Sequence, residues 1–104
     1  MDLQLKEKVI IVSGGAKGIG EGIVRVLAAE GAIPVIIGRS EEDNLATVKA
    51  IEATGGKCFQ VKAELSNPDE CKQAVEAVIK QFNCIDGLVN NAGANDGVGL
   101  ENGD

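Results

Sequence analysis

The chain carries the stretch SGGAKGIG, from Ser13 to Gly20, directly after the apolar run VIIV at residues 9–12 and at the head of an amphipathic stretch from Ile19 to Glu30. A strand, a glycine turn and a helix in this order form a cradle for phosphate. Glycines permit a tight turn, and the helix N-terminus offers unpaired N–H groups and the positive end of its dipole. The spacing is G-x-x-x-G-x-G, without the Gly-Lys-Ser/Thr ending of a nucleoside-triphosphate loop. The stretch favours dinucleotide binding; a tight strand-to-helix turn that binds nothing is the alternative interpretation.

Composition and charge narrow the class of protein. The chain has 104 residues, 44% of them hydrophobic and 25% charged, which is typical of one modest globular domain. Its net charge of −6 argues against nucleic acid as a partner, because binding a phosphate backbone needs clustered Lys and Arg. No apolar run is long enough to span a bilayer and no signal-peptide pattern is visible, so we expect a cytoplasmic protein without a membrane partner.

Histidine and cysteine usage limits the chemistry. The chain has no histidine, and Cys58, Cys71 and Cys84 form no C-x-x-C pair, which excludes a zinc site and a histidine-based catalyst within this chain. An odd number of cysteines without an export signal suits a reducing compartment. We expect all three to be small apolar packing residues.

Apolar periodicity alternates between strand and helix along the chain. The predicted strands are Val9–Ser13, Val35–Ile37, Cys58–Val61, and Ile85 with Gly87–Val89. The predicted helices run from Ile19 to a stop at Gly31, from Ser40 to about Ala53, and from the Asn67-Pro68 N-cap through Phe82. This order predicts an α/β fold, a doubly wound parallel sheet of Rossmann type with strand order 3-2-1-4, of which only the first half is present. Residues 1–93 would form the dinucleotide-binding half-domain, and residues 94–104 a loop or tail that leads to a missing C-terminal half.

The strand order reverses between the first and fourth strands, and ligands of such sheets bind there, at the carboxyl ends of the strands. The glycine turn and the motif NNAG at residues 90–93 both fall at that edge. We therefore predict a nicotinamide dinucleotide site. Its predicted residues are Gly14, Lys17, Gly18, Ile19, Gly20, Arg39, Glu64, Leu65, Asn91, Ala92 and Gly93.

The end of the second predicted strand indicates which nucleotide is preferred. An acidic residue there would bind both ribose hydroxyls and repel a 2′-phosphate, but this chain has Arg39. A guanidinium pairs well with phosphate, and Lys17 would add a second positive charge, so we predict NADP in preference to NAD. Alternatively, Arg39 stacks on adenine or pairs with Glu41, Glu42 or Asp43.

Two further motifs follow later strands. Glu64 lies where a carboxylate could accept a hydrogen bond from the adenine amino group, or else it is a solvated carboxylate near the next helix. Asn90 and Asn91 can tie neighbouring loops together through their side-chain amides, and we expect Asn91 to face the cofactor ribose. Ala92 and Gly93 leave room for a sugar beside the backbone.

Ser13–Gly20, Arg39, Glu64-Leu65 and Asn90–Gly93, in this order and spacing, resemble the motifs of the short-chain dehydrogenase/reductase family. The resemblance runs from about Leu5 to Gly93. Two departures are small, since serine stands at position 13 where threonine is usual and glutamate at position 64 where aspartate is usual. The stretch at residues 91–101 is similar to sugar-oxidising members related to L-fucose dehydrogenase.

The resemblance implies an NAD(P)-dependent oxidoreductase that moves a hydride between nicotinamide and a secondary alcohol or carbonyl, with a sugar as the more specific expectation. Family members use a serine, a tyrosine and a lysine from a second half, and this chain has no tyrosine. We therefore assign no catalytic residue here and expect the 104 residues alone to be inactive, as half of a parent enzyme that is a homo-oligomer when intact. The alternative is a non-catalytic dinucleotide-binding or interaction module whose fourth strand is an open edge.

Overall fold

The computed structural model describes residues 4–91 of the chain. Seven elements alternate along them, in the predicted order. They are β1 (Val9–Ser13), α1 (Gly18–Ala29), β2 (Ile33–Gly38), α2 (Glu41–Ala53), β3 (Phe59–Lys62), α3 (Pro68–Phe82) and β4 (Gly87–Asn90).

The four strands form one parallel sheet with the order β3-β2-β1-β4, which confirms the predicted topology. At the carboxyl end of β1, Ser13 is in register with Ile37 of β2 and Asn90 of β4. The ends of these three strands therefore lie side by side, and the glycine turn after β1 begins between the other two.

Two apolar clusters, one on each face of the sheet, form the core. One face packs on α1 and α2 through Ile10, Val12, Val24, Ile36, Val48 and Ile51. The other packs on α3 through Val9, Ile11, Val35, Ile37, Ala74 and Val78. Because β1 and β2 are covered on both faces, their sequences are continuous apolar runs rather than alternating ones.

The observed limits of three strands differ from the predicted ones. β2 begins earlier, because Ile33 is in register with Val9. The strand continues through Pro34. This residue lies before Val35, the first β2 residue in register with β3, so the missing N–H of proline removes no hydrogen bond between β2 and β3. β4 begins only at Gly87, because the Asp86 carboxylate accepts the Val9 N–H at 2.8 Å in place of a strand carbonyl. β3 begins at Phe59 rather than at Cys58, whose side chain is buried in the core instead.

Most helix ends follow the sequence signals. Ser40 accepts a hydrogen bond from the N–H of Asp43, and Asn67 accepts from the first turn of α3. Gly31 adopts a left-handed conformation (φ 88°) after α1, as a C′ glycine does. Both predicted N-caps and the predicted stop of α1 are confirmed.

The three cysteines have different environments. Cys58 is buried, Cys71 is half-buried and Cys84 is exposed, and all three are free thiols. The expectation of three packing residues is therefore wrong for Cys84. It follows Asn83, the left-handed C-cap of α3 (φ 68°), and is exposed in the connection between α3 and β4. Among residues 4–91, no helix has the length and apolar character needed to cross a bilayer.

Candidate functional site

The glycine turn at residues 14–20 joins β1 to α1. Gly18 has a φ of 57°, and a Cβ added there would meet nothing within 4 Å, so this part of the turn faces open space. Gly20 has the opposite surroundings, because an added Cβ would collide with the carbonyl oxygen of Gly14 and lie 2.7 Å from Nδ2 of Asn91. One glycine thus keeps the outer side of the turn open while the other lets the turn pack closely against α1.

The N-terminus of α1 lacks a side-chain cap. Lys17 occupies the N-cap position without bonding the first turn, whereas Ser40 and Asn67 cap α2 and α3. The first N–H groups of a helix have no acceptor within the helix. The acidic residue of this turn, Glu21, is paired with Arg25 at 2.7 Å. An anion in front of α1 would therefore meet N–H donors and a positive dipole end without a competing cap.

The end of β4 is tied to the glycine turn. Asn91 is buried, its backbone N–H donates to the Ser13 hydroxyl at 3.2 Å, and its Nδ2 donates to the Gly14 carbonyl at 3.4 Å. The Ser13 hydroxyl also lies 3.0 Å from Oδ1 of Asn90, to which it can donate. The predicted tie between neighbouring loops through Asn90 and Asn91 is present, and the Asn91 amide nitrogen is directed at the turn.

Helix α2 supports the site from the other side through residues that the sequence analysis missed. Thr47 is buried, and its hydroxyl donates to the carbonyl of Ala16 in the glycine turn at 3.2 Å. Asn44 is also buried, and its Nδ2 donates to the carbonyl of Gly38 and to Oε1 of Gln60, both at 3.1 Å. The turn and the end of β2 are thus held by one helix face. The sequence could have revealed this support, because the spacing of Asn44 and Thr47 with Val48 and Ile51 places all four residues on one stripe of the helix.

The two predicted phosphate-binding cations differ in their surroundings. Nζ of Lys17 lies 3.1 Å from Oδ2 of Asp43 in the first turn of α2. Hydrogen bonds from Lys17 and then Ser40 hold the pKa of the Asp43 carboxyl below its usual value. Arg39 is exposed, and within residues 4–91 it forms no ion pair. The alternative that Arg39 pairs with an acidic residue of α2 is therefore wrong for this structure.

The predicted adenine-binding residues lie after β3, beside the start of α3. The Glu64 carboxylate accepts hydrogen bonds from the N–H and hydroxyl of Ser66 at 3.4 and 3.3 Å. The Glu64 N–H in turn donates to the Glu70 carboxylate at 2.8 Å. Leu65 is half-buried against the core.

The structure brings only part of the predicted site together. Gly14, Gly20 and Asn91 are in contact, and Lys17, Gly18 and Ile19 are exposed on the outer side of the same turn. Across residues 4–91, no hydrogen bond or ion pair joins Arg39, Glu64 or Leu65 to that turn. Ala92 and Gly93 lie outside the described residues. In the described part of the chain, no cluster of three Cys, Asp or Glu residues could hold a metal ion.

Comparison with known proteins assigns the family. The family model described as short chain dehydrogenase matches residues 8–103. The chain belongs to this family. The predicted resemblance to short-chain dehydrogenases is thereby confirmed at the level of the family, while the sugar-oxidising subgroup is not.

Several proteins are similar to the chain in sequence, and solved structures are similar to it in fold. An uncharacterized oxidoreductase of Methylorubrum extorquens is 39% identical over 99 residues, which are 94% of this chain and 40% of that protein. The 3-oxoacyl-[acyl-carrier-protein] reductase of Chlamydia pneumoniae is 38% identical over 93 residues, or 89% of this chain and 38% of the reductase. The structure of L-sorbose reductase from Gluconobacter frateurii, complexed with NADPH and L-sorbose, superposes with a TM-score of 0.85 at 31% identity. The superposition covers 89% of this chain and 36% of the L-sorbose reductase chain. The chain thus spans about two fifths or less of the length of these three proteins.

Proposed function

We propose that the chain is the cofactor-binding half of an NAD(P)-dependent oxidoreductase that transfers a hydride between nicotinamide and a secondary alcohol or carbonyl. The observation that carries this proposal is the uncapped N-terminus of α1 behind the open side of Gly18, at the edge where the strand order reverses. Family membership supports it, because it makes a dinucleotide the expected anion. When bound, the nicotinamide would accept or supply the hydride.

The residues of the turn fit a pyrophosphate. Residues 18–20 are the first of α1, so their N–H groups have no acceptor within the helix, and a Cβ added at Gly18 would meet nothing within 4 Å. Asn91 and Thr47 hold the turn from two sides and leave this outer side free. In the full proposed site, Gly14, Gly18, Ile19 and Gly20 surround the pyrophosphate, Lys17 and Arg39 the 2′-phosphate on the adenosine ribose, Glu64 and Leu65 the adenine, and Asn91, Ala92 and Gly93 the second ribose.

We propose that NADP is preferred over NAD. Arg39 directly follows Gly38, the last residue of β2, and is exposed and without an ion pair in the described chain. An exposed guanidinium is well suited to a 2′-phosphate, and no carboxylate occupies the same position to repel it. Two similar proteins were solved with this cofactor, L-sorbose reductase with NADPH and a metagenomic short-chain oxidoreductase with NADP.

The substrate is proposed only as a class, a secondary alcohol or carbonyl compound, with a sugar as the more specific suggestion. L-sorbose reductase supports the sugar, whereas other relatives are named for steroid or acyl-carrier-protein substrates. The 104 residues contain no tyrosine and no histidine, so we propose that they do not perform the proton transfer to the substrate oxygen and are inactive alone. The homo-oligomer and the cytoplasmic location expected from the sequence stay predictions.

Calorimetric titration of the purified chain with NADP and NAD tests the proposal, with Gly18→Ala as the site variant and Gly55→Ala as its matched control. Both glycines have positive φ (57° and 88°) and open surroundings, so each alanine should cost a similar 1–2 kcal/mol or so of backbone strain. Only at Gly18 would the methyl group enter the proposed phosphate site. We expect Gly18→Ala to weaken NADP binding roughly tenfold or more, as the loss of one charge-assisted hydrogen bond does, and Gly55→Ala to leave it unchanged.

Three results would count against the proposal. A folded wild-type chain that binds neither nucleotide would remove its basis. Equal effects of Gly18→Ala and Gly55→Ala would show that the glycine turn is not the binding element. A tenfold tighter dissociation constant for NAD than for NADP would overturn the proposed preference while leaving dinucleotide binding intact.

A further inference from the structure

The ion pair between Lys17 and Asp43 spans the gap between the glycine turn and the first turn of α2. Its N–O distance is 3.1 Å, with the Lys17 side chain 77% exposed and that of Asp43 38% exposed. We propose that Asp43 is a specificity-determining residue that moderates the preference for NADP, because it occupies Lys17 with an ion pair that an incoming 2′-phosphate must replace. This inference rests on the proposed nucleotide binding.

Asp43 is the fixed member of the pair. Ser40 caps α2 by accepting the Asp43 N–H at 3.2 Å, so the backbone that carries the carboxylate is part of an ordered helix start. The next residue, Asn44, is almost fully buried and bound to Gly38 and Gln60, which anchors this turn of α2 against the sheet. Lys17 is the long, exposed partner, and its ammonium position is therefore set by Asp43.

The two proposed phosphate-binding cations thus start from different states. Arg39 forms no ion pair within residues 4–91, whereas the charge of Lys17 is already compensated. NADP can recruit Lys17 for its 2′-phosphate only by breaking the ion pair between Lys17 and Asp43. NAD carries no 2′-phosphate and makes no such demand. The ion pair therefore weakens the binding of NADP and leaves the binding of NAD unaffected. As a result, the affinities for NADP and NAD differ less than they would without Asp43.

The test compares Asp43→Asn with Glu42→Gln in the purified chain, by calorimetric titration with NADP and with NAD. Both substitutions remove one negative charge from the first turn of α2, so they change the net charge and the helix-dipole interaction alike. Only Asp43 is paired with Lys17, since Glu42 forms no ion pair among the described residues. We expect Asp43→Asn to tighten NADP binding roughly two- to fivefold relative to Glu42→Gln, the size expected for an exposed ion pair, with NAD unchanged.

A second comparison isolates the part played by Lys17. In a Lys17→Met background the competition no longer exists, so Asp43→Asn should change the NADP to NAD affinity ratio no more than Glu42→Gln does. If Asp43→Asn still tightens NADP binding in the Lys17→Met background, Asp43 repels the phosphate directly, and this result would overturn the proposed competition. Unchanged or weaker NADP binding by Asp43→Asn alone would overturn it as well.

The failures of the two proposals are distinguishable. A wild-type chain that is folded but binds neither NADP nor NAD contradicts the proposed function and, with it, the role of Asp43. A wild-type chain that binds both nucleotides, with an affinity ratio that Asp43→Asn does not alter, contradicts only the role of Asp43.

Discussion

Two glycines of α1, two residues apart, should respond to the same substitution with opposite signs. Gly20 faces the glycine turn, where a Cβ would collide with the carbonyl oxygen of Gly14 and stand 2.7 Å from Nδ2 of Asn91. The Gly14 contact is a backbone atom and cannot rotate away. Gly22 is exposed on the same helix, and a Cβ there would meet nothing within 4 Å. We therefore expect Gly20→Ala to destabilise the chain and Gly22→Ala to stabilise it.

The size of each effect follows from these surroundings. Alanine is favoured over glycine inside a helix by about 0.5–1 kcal/mol, and Gly22→Ala should gain this amount in the free energy of unfolding. Gly20→Ala gains the same helix preference, but its methyl group has no room between the glycine turn and α1. We therefore expect a net loss of about 1–3 kcal/mol in the free energy of unfolding. The two variants should then differ by about 1.5–4 kcal/mol, or roughly 6 °C or more in Tm for a domain of this size.

Urea unfolding followed by far-UV circular dichroism is the suitable assay, because the chain has no tryptophan or tyrosine to serve as a fluorescent probe. Titration of the same two variants with NADP gives a second readout. Gly20→Ala should weaken binding because the Gly14 carbonyl must move, whereas Gly22→Ala should not. A Gly20→Ala variant as stable as the wild type would refute the reasoning, since the turn could then be displaced from α1 without cost.

Two more predictions concern buried polar atoms and thiols. Thr47→Val should lower the free energy of unfolding by about 1–3 kcal/mol, because the carbonyl of Ala16 loses its hydrogen-bond donor. The control Thr54→Val, on the exposed end of α2, should lower it by only a few tenths of that amount. Equal losses of the two variants in urea unfolding would contradict this difference. Burial raises the pKa of the Cys58 thiol to about 12, so iodoacetamide at neutral pH should modify the exposed Cys84 but not Cys58 in the folded chain. Both thiols should be modified in urea, and peptide mass spectrometry measures the labelling of each. Fast labelling of Cys58 in the folded chain would show that it is not buried.

The topology could be predicted from the sequence because each level of evidence agreed. Continuous apolar runs indicated covered parallel strands, and the period of the intervening segments indicated helices with one buried face. The strand limits could not be predicted as well, since they depend on pairing with distant residues. The start of β4, for example, is set by the Asp86 carboxylate on the Val9 N–H, 77 residues earlier in the chain.

The sequence indicated the glycine turn and Asn91 but not the support that α2 gives to the site. Asn44 and Thr47 look like ordinary polar helix residues until they are placed on the same stripe as Val48 and Ile51. The state of Lys17 was not predictable either. Its partner lies 26 positions later in the sequence and comes near only because α2 packs beside the turn.

The surroundings of the glycine turn suggest why α1 has no side-chain cap. Asn91 holds the Gly14 carbonyl from the β4 side and Thr47 holds the Ala16 carbonyl from the α2 side, so the turn is ordered by its carbonyl groups. Its conformation therefore does not require a cap on the N–H groups at the start of the helix. Those donors can be left for a ligand at little cost to the order of the turn. A ligand that finds them already positioned spends less of its binding free energy on ordering the loop, which is the advantage of preorganisation.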